Sequence, residues 1–106
     1  MPSDIKDDVR ESERANYAQC YKACVAMCRR ALQLSLIDKG IEDKPLGKMI
    51  EEARSSKKLL TDNTYNMAKS IKSYGDIGVH RTEKLEPKEV EIVIYMAVKM
   101  LNELYK

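Results

Sequence analysis

Apolar residues recur along this chain at intervals of three and four, the period of a helix and not of a strand. From about Glu13 to Lys39, placing Cys20 at 0° and advancing about 100° per residue gathers Tyr17, Cys20, Tyr21, Cys24, Met27, Cys28, Ala31, Leu32 and Leu34 on one broad arc. Gln19, Lys22, Arg29, Arg30 and Gln33 fall on the opposite side, so the segment reads as an amphipathic helix with these polar side chains outward. Gly40 suits its left-handed end, and Pro45 opens a second helix because the first turn needs no N–H from it. That helix carries Leu46, Met49, Ile50, Ala53 and Leu60, with its end between Ser55 and Leu60. Thr61, Asp62 or Asn63 supplies the cap of a third, striped by Tyr65, Ala68, Ile71 and Tyr74 and stopped by Gly75. The stretch GDIGVHRTEKLE, residues 75–86, sustains no helical stripe and reads as an organised loop. Pro87 then starts a last helix through Val90, Val93, Ile94, Ala97, Leu101 and Leu104.

These stripes predict an all-α protein, an antiparallel up-and-down four-helix bundle over residues 13–106. Residues 1–12 are expected to be a flexible or short helical N-terminal segment, in which Ile5 and Val9 share a face and can dock as an extra helical turn. A length of 106 residues and 43% apolar composition fit one domain with a core that needs no disulfide or metal. A net charge of +2, from 19 basic and 17 acidic side chains, falls short of the excess that marks a dedicated nucleic-acid binder. The N-terminal residues lack the apolar centre of a signal peptide. The longest apolar run, Ile92–Val98, is far shorter than the ~20 residues that span a bilayer. The expectation is a cytoplasmic protein with no membrane partner.

Cys20, Cys24 and Cys28 share one predicted helical face and so invite a metal. Eight residues at ~1.5 Å each separate the outer pair by ~12 Å, whereas two sulfurs on one zinc ion lie within ~4.6 Å. They are expected as buried core residues, and no metal or cofactor is anticipated. Six tyrosines without Trp or Phe read as core edges with hydroxyls toward solvent. His80 is the one histidine, and imidazole both takes and gives a proton near neutrality. Asp76, Lys72 and Arg81 are the charged neighbours able to orient it or hold phosphate.

Ala23–Gln33, with Cys28, Arg29, Arg30, Ala31 and Leu32, precedes a leucine-led helix. It is followed by I-K-x-x-G-D-x-G-x-H over Ile71–His80 and a terminal helix ending L-x-x-L-Y. Over about residues 13–106 this order resembles the HEPN-like domain of unknown function 4145. Its most specific part is G-[DN]-x-x-x-H, carried here by Gly75, Asp76 and His80. The resemblance implies a helical bundle, frequently dimeric, and in active members of the HEPN superfamily a metal-independent ribonuclease. There R-[polar]-x-x-x-H supplies a histidine for acid–base chemistry and an arginine for the phosphate. Here Gly75 stands in the arginine's place and Asp76 at the polar position, which removes a fixed charge of the kind that stabilises a phosphoryl transition state.

The resemblance therefore implies a non-enzymatic interaction or RNA/nucleotide-binding accessory module in defence or nucleic-acid metabolism, forming a homodimer. Two alternatives stand beside it. One is a ribonuclease with His80 and Asp76 as catalytic pair and Lys72, Tyr74 and Arg81 as binding residues. The other is an oligomerisation subunit for a nucleotidyltransferase or a restriction-system protein. In all three, Gly75 and Gly78 shape the motif, with Gly75 giving a sharp exit from the third helix. The dimer surface is expected on the first and last helices.

Overall fold

The continuous helix expected over residues 13–39 is two helices, because the backbone reverses at Gln19. A computed structural model describes residues 1–80 and 84–106, the side chains of 78–80 excepted. In it α1 (Ser3–Tyr17) closes with Gln19 N–H donating to Asn16 O at 2.9 Å and Cys20 N–H to Ala15 O at 2.7 Å. This is the paired closure of a Schellman turn, with Gln19 at φ 62° in the position glycine usually occupies. Then α2 (Tyr21–Asp38) runs back along α1. The chain continues through α3 (Leu46–Ser55), α4 (Asp62–His80) and α5 (Pro87–Leu104), and every regular element among the described residues is helical.

The other boundaries follow local chemistry already visible in the residues. Gly40, at φ 97°, repeats the Schellman closure on α2, with Gly40 N–H donating to Ile37 O at 3.0 Å and Ile41 N–H to Leu36 O at 2.9 Å. Its apolar partners Ile41 and Leu36 are both buried. Of the three residues expected to cap α4, Thr61 does so: Thr64 N–H donates to Thr61 Oγ1 at 3.2 Å and Thr61 N–H to Thr64 Oγ1 at 2.7 Å. Glu86 and Glu89 form a reciprocal capping box ahead of α5, beside Pro87 in its first turn.

The organised loop expected from Gly75 onward is corrected in its first half: α4 continues unbroken through Gly75 and Gly78 to His80. A mid-helix glycine costs about 0.5–1 kcal/mol relative to alanine, and tertiary contacts outweigh that here.

Contacts with α1, α3, α4 and α5 make α2 the central element, so its buried face is wider than one arc. Val25 and Leu36, absent from the predicted stripe, are fully buried with Cys24, Cys28, Ala31 and Leu32. Tyr17 and Cys20, which the stripe placed in the core, are exposed instead, Tyr17 to 94%, because they flank the reversal and no longer continue the face of α2. From α4 the core takes Ala68 and Ile71; from α5 it takes Val90, Val93, Ala97, Met100 and Leu101.

The helix α1 incorporates most of residues 1–12 and buries Ile5, but its other buried positions are polar: Asp8 and Ser12. Burial pushes the Asp8 carboxyl above its ordinary range, although Arg30 Nε stands 3.2 Å from Oδ2. Beneath this seam lie Cys24 and Cys28, both free thiols. The Cys24 thiol is pushed up by its hydrogen bond to Cys28 and by burial, so it stays protonated.

The left-handed Gln19 carries a backbone cost of about 1 kcal/mol that glycine lacks. Gln19→Gly is expected to raise stability by roughly 0.5–1 kcal/mol, since some of the relief is lost to the freer unfolded chain. Urea unfolding followed by circular dichroism checks it.

Candidate functional site

Side chains rich in chemistry converge where α4 crosses α2, and glycine makes the crossing close. A Cβ built on the buried Gly75 would lie 2.4 Å from Arg29 Cβ and 2.7 Å from Arg29 Cδ. No real Cβ tolerates that distance, so Arg29's aliphatic stem occupies the space a side chain at 75 would fill. Gly75 is thus a packing notch and not the sharp exit expected of it.

The stem delivers the Arg29 guanidinium to the next residue of α4. Arg29 Nε donates to Asp76 Oδ1 at 3.0 Å, while Lys72, one turn earlier on α4, donates from Nζ to Asp76 Oδ2 at 2.7 Å. All three side chains are half-buried, at 26%, 24% and 35% exposure for Arg29, Asp76 and Lys72. Burial alone raises the Asp76 carboxyl, but hydrogen bonds and charge from Lys72 and Arg29 outweigh it and hold the group below the usual carboxylate range. A further arm runs from Arg29 Nη1 to Gln33 Oε1 at 3.5 Å and from Gln33 Nε2 to Asp43 Oδ1 at 3.0 Å. The cluster therefore ties α2, α4 and the α2–α3 connection together.

The residues singled out in the sequence divide around this cluster. Lys72 and Asp76 come together. Tyr74 turns to α5, where the Glu89 carboxylate accepts its hydroxyl and keeps the phenol above its ordinary value. Gly78 lies within α4, and position 80 is the last residue of that helix, one turn beyond Asp76. The side chain of His80 lies outside the described residues, as does Arg81. Arg29 and Gln33 correct the expectation that they face outward: both are half-buried. The signal for Arg29 was present only as a long side chain at the middle of α2, and its partner, a glycine in a different helix, is invisible to periodicity.

Elsewhere, hydroxyls that the tyrosine count left open are tied to carboxylates. Tyr65 donates to Glu51 Oε2 at 2.9 Å, with Lys69 Nζ 4.3 Å from its ring centroid, and Tyr105 donates to Asp38 Oδ2 at 2.6 Å. Among the described residues no group of three His, Cys, Asp or Glu side chains converges to hold a metal ion, and no helix is long and apolar enough to cross a membrane.

The geometry permits two tests. In an open helix Gly→Ala gains about 1 kcal/mol. At position 75 the added methyl meets Arg29 Cβ, and Gly75→Ala is expected to lose about 1–2 kcal/mol net. Gly47→Ala meets only the flexible Lys72 Cε at 3.4 Å and serves as the tolerated control. Thermal unfolding of the two variants reads the contrast. Asp76→Asn leaves two cations facing each other and is expected to cost about 1–2 kcal/mol at neutral pH. Because the folded carboxyl lies below its ordinary 3.8, this contribution is full above about pH 4. It fades as pH falls through the lower folded value, so the stability curves of wild type and variant converge in acid.

Residues 10–106 match the model of a family described as a domain of unknown function, DUF4145. Searches of curated proteins and of solved structures found no match.

Proposed function

Since the chain belongs to the DUF4145 family, we propose that it is a non-enzymatic, HEPN-like helical module that works by contact, as an accessory to RNA or nucleotide handling in nucleic-acid metabolism or defence. In this reading α1, α2, α4 and α5 are the antiparallel up-and-down bundle, and α3 is a short brace across α2 and α4.

The observation that carries it is the Arg29–Asp76–Lys72 cluster. A carboxylate that accepts from two cations at 3.0 and 2.7 Å is a poor proton acceptor, because its charged form is the stabilised one. The same two cations neutralise a carboxylate instead of awaiting a phosphate. The motif position at 75 holds no side chain, and Arg29 leaves no room for one. Fixed positive charge aimed at a developing phosphorane, the contribution that typically dominates such catalysis, is absent from that position. The arrangement is suited to rigidity and surface presentation.

One observation favours the rival, a metal-independent ribonuclease using His80. Arg29 brings a guanidinium from α2 to the glycine notch, one helical turn before position 80. Released from Asp76, it would stand in for the arginine that position 75 lacks. Incubating purified protein with mixed RNA across pH 6–8 separates the two. No cleavage is expected; cleavage that His80→Ala abolishes would overturn the contact reading in favour of the rival.

A further inference from the structure

Where α1 and α5 lie side by side, two hollows open along their shared groove. One, of about 350 Å³, is lined by Glu13, Asn16 and Tyr17 of α1 and by Glu91 and Ile94 of α5. The other, of about 240 Å³, has an apolar lining of Val9, Val98 and Leu101, with Lys6 and Arg10 on its α1 side. Glu13 borders both, so they are neighbours in one groove. Passing from the first to the second, residue numbers fall along α1 and rise along α5, so the two helices run in opposite senses.

Each hollow presents charge of one sign. Glu13 and Glu91 reach the first from different helices, and no cationic side chain is among the described residues that line it. Both are exposed, and neither joins an ion pair among the described residues. At the second hollow Lys6 is equally unpaired, and Arg10 is held only by Asp7 at 3.8 Å on the surface. Like charges gathered at one hollow do not satisfy each other; an entering group of opposite sign does. In the first hollow the bare ring of Tyr17, 94% exposed, and the half-buried Ile94 also offer surface to the aliphatic stem of a long cationic side chain. A nucleic-acid strand or an anionic lipid surface carries one sign of charge and is repelled by that hollow.

We infer that this groove receives an amphipathic helix of a partner protein. Its arginine or lysine enters the Glu13–Glu91 hollow, its large aliphatic side chain fills the Val9–Val98–Leu101 hollow, and its carboxylate meets Lys6 and Arg10. A channel between two antiparallel helices with an apolar floor is the usual seat of such a helix. The chain also fixes the spacing of its anchors. From the Glu13–Tyr17 turn to Val9 is about six residues of α1, or ~9 Å, and Lys6 lies one turn further. On a helix lying along the groove, the positions that cover these distances on one face are the cation at i, the aliphatic residue at i+7 and the acid at i+11, counted from the acidic hollow. The inference names the kind of partner for the contact reading above and rests on that reading for its purpose, though not for its geometry.

Titrating the isotope-labelled full chain with an end-blocked, 18-residue alanine–glutamine helix carrying Arg, Leu and Glu at those spacings tests it by amide NMR. Shifts are expected in α1 and α5 around Glu13, Val9, Ile94 and Val98, with a Kd on the order of 100 μM for so small a contact. Replacing the peptide's Arg with Glu, or its Leu with Ala, should weaken binding at least tenfold. Glu13→Lys/Glu91→Lys, at two exposed positions, should reverse the preference between the Arg and Glu peptides, with circular dichroism confirming that the variant folds. Absence of binding at millimolar peptide, equal affinity for the Arg and Glu peptides, or shifts centred outside α1 and α5 would overturn the inference. So would an oligouridine strand that shifts the amides of Glu13 and Glu91. None of these results bears on RNA cleavage, so the contact reading and this groove can fail separately.

Discussion

The rest of the architecture depends on the approach of α4 to α2 at Gly75. Only a residue without Cβ lets the stem of Arg29 lie against the backbone of α4, with 2.4 Å between Arg29 Cβ and the place a Cβ would take. That contact sets where the guanidinium emerges and brings it to Asp76. Lys72 completes the arrangement from the preceding turn of the same helix, and the Gln33–Asp43 arm extends it to the chain leaving α2. A helix-weakening residue is tolerated within α4 because the crossing gains buried contact and the charge-assisted hydrogen bond from Arg29 to Asp76.

The same cluster decides the chemistry of the motif. In isolation an aspartate one turn before a histidine looks like an orienting or proton-accepting group. Held by two cations and half-buried, Asp76 is instead an anion locked to its partners, and its protonation occurs only in acid. On the exterior of the bundle, α1 is held by one large apolar anchor, Ile5, and by a polar seam that includes a buried aspartate.

How much of this was legible in the residues varied with whether the determining interaction is local. Gly40, Pro45, Thr61 and Pro87 marked helix ends correctly, because each acts through its own backbone or its nearest turn. Gln19 concealed a reversal, since the periodicity of the apolar residues passes through it without interruption and glutamine gives no sign of a left-handed φ. Gly75 misled in the other direction: a glycine ahead of a glycine-bearing, polar stretch looks like a stop, and only the neighbouring helix explains why it sits within one. Of the candidate site, the association of Lys72 with Asp76 was readable as a pair four residues apart on a helix, whereas Arg29 looked like a solvated residue on the outer side.

The sequence by itself determined the class of structure, most helix boundaries and much of the core, because hydrophobic period, capping side chains and proline act over a few residues. Tertiary structure alone decided which polar residues meet across helices. Whether Arg29 faces water or Asp76, and whether Tyr17 is covered or bare, depends on how helices distant in sequence are set against one another, and that setting follows from the shapes of their contact faces, which no single stretch of the chain encodes.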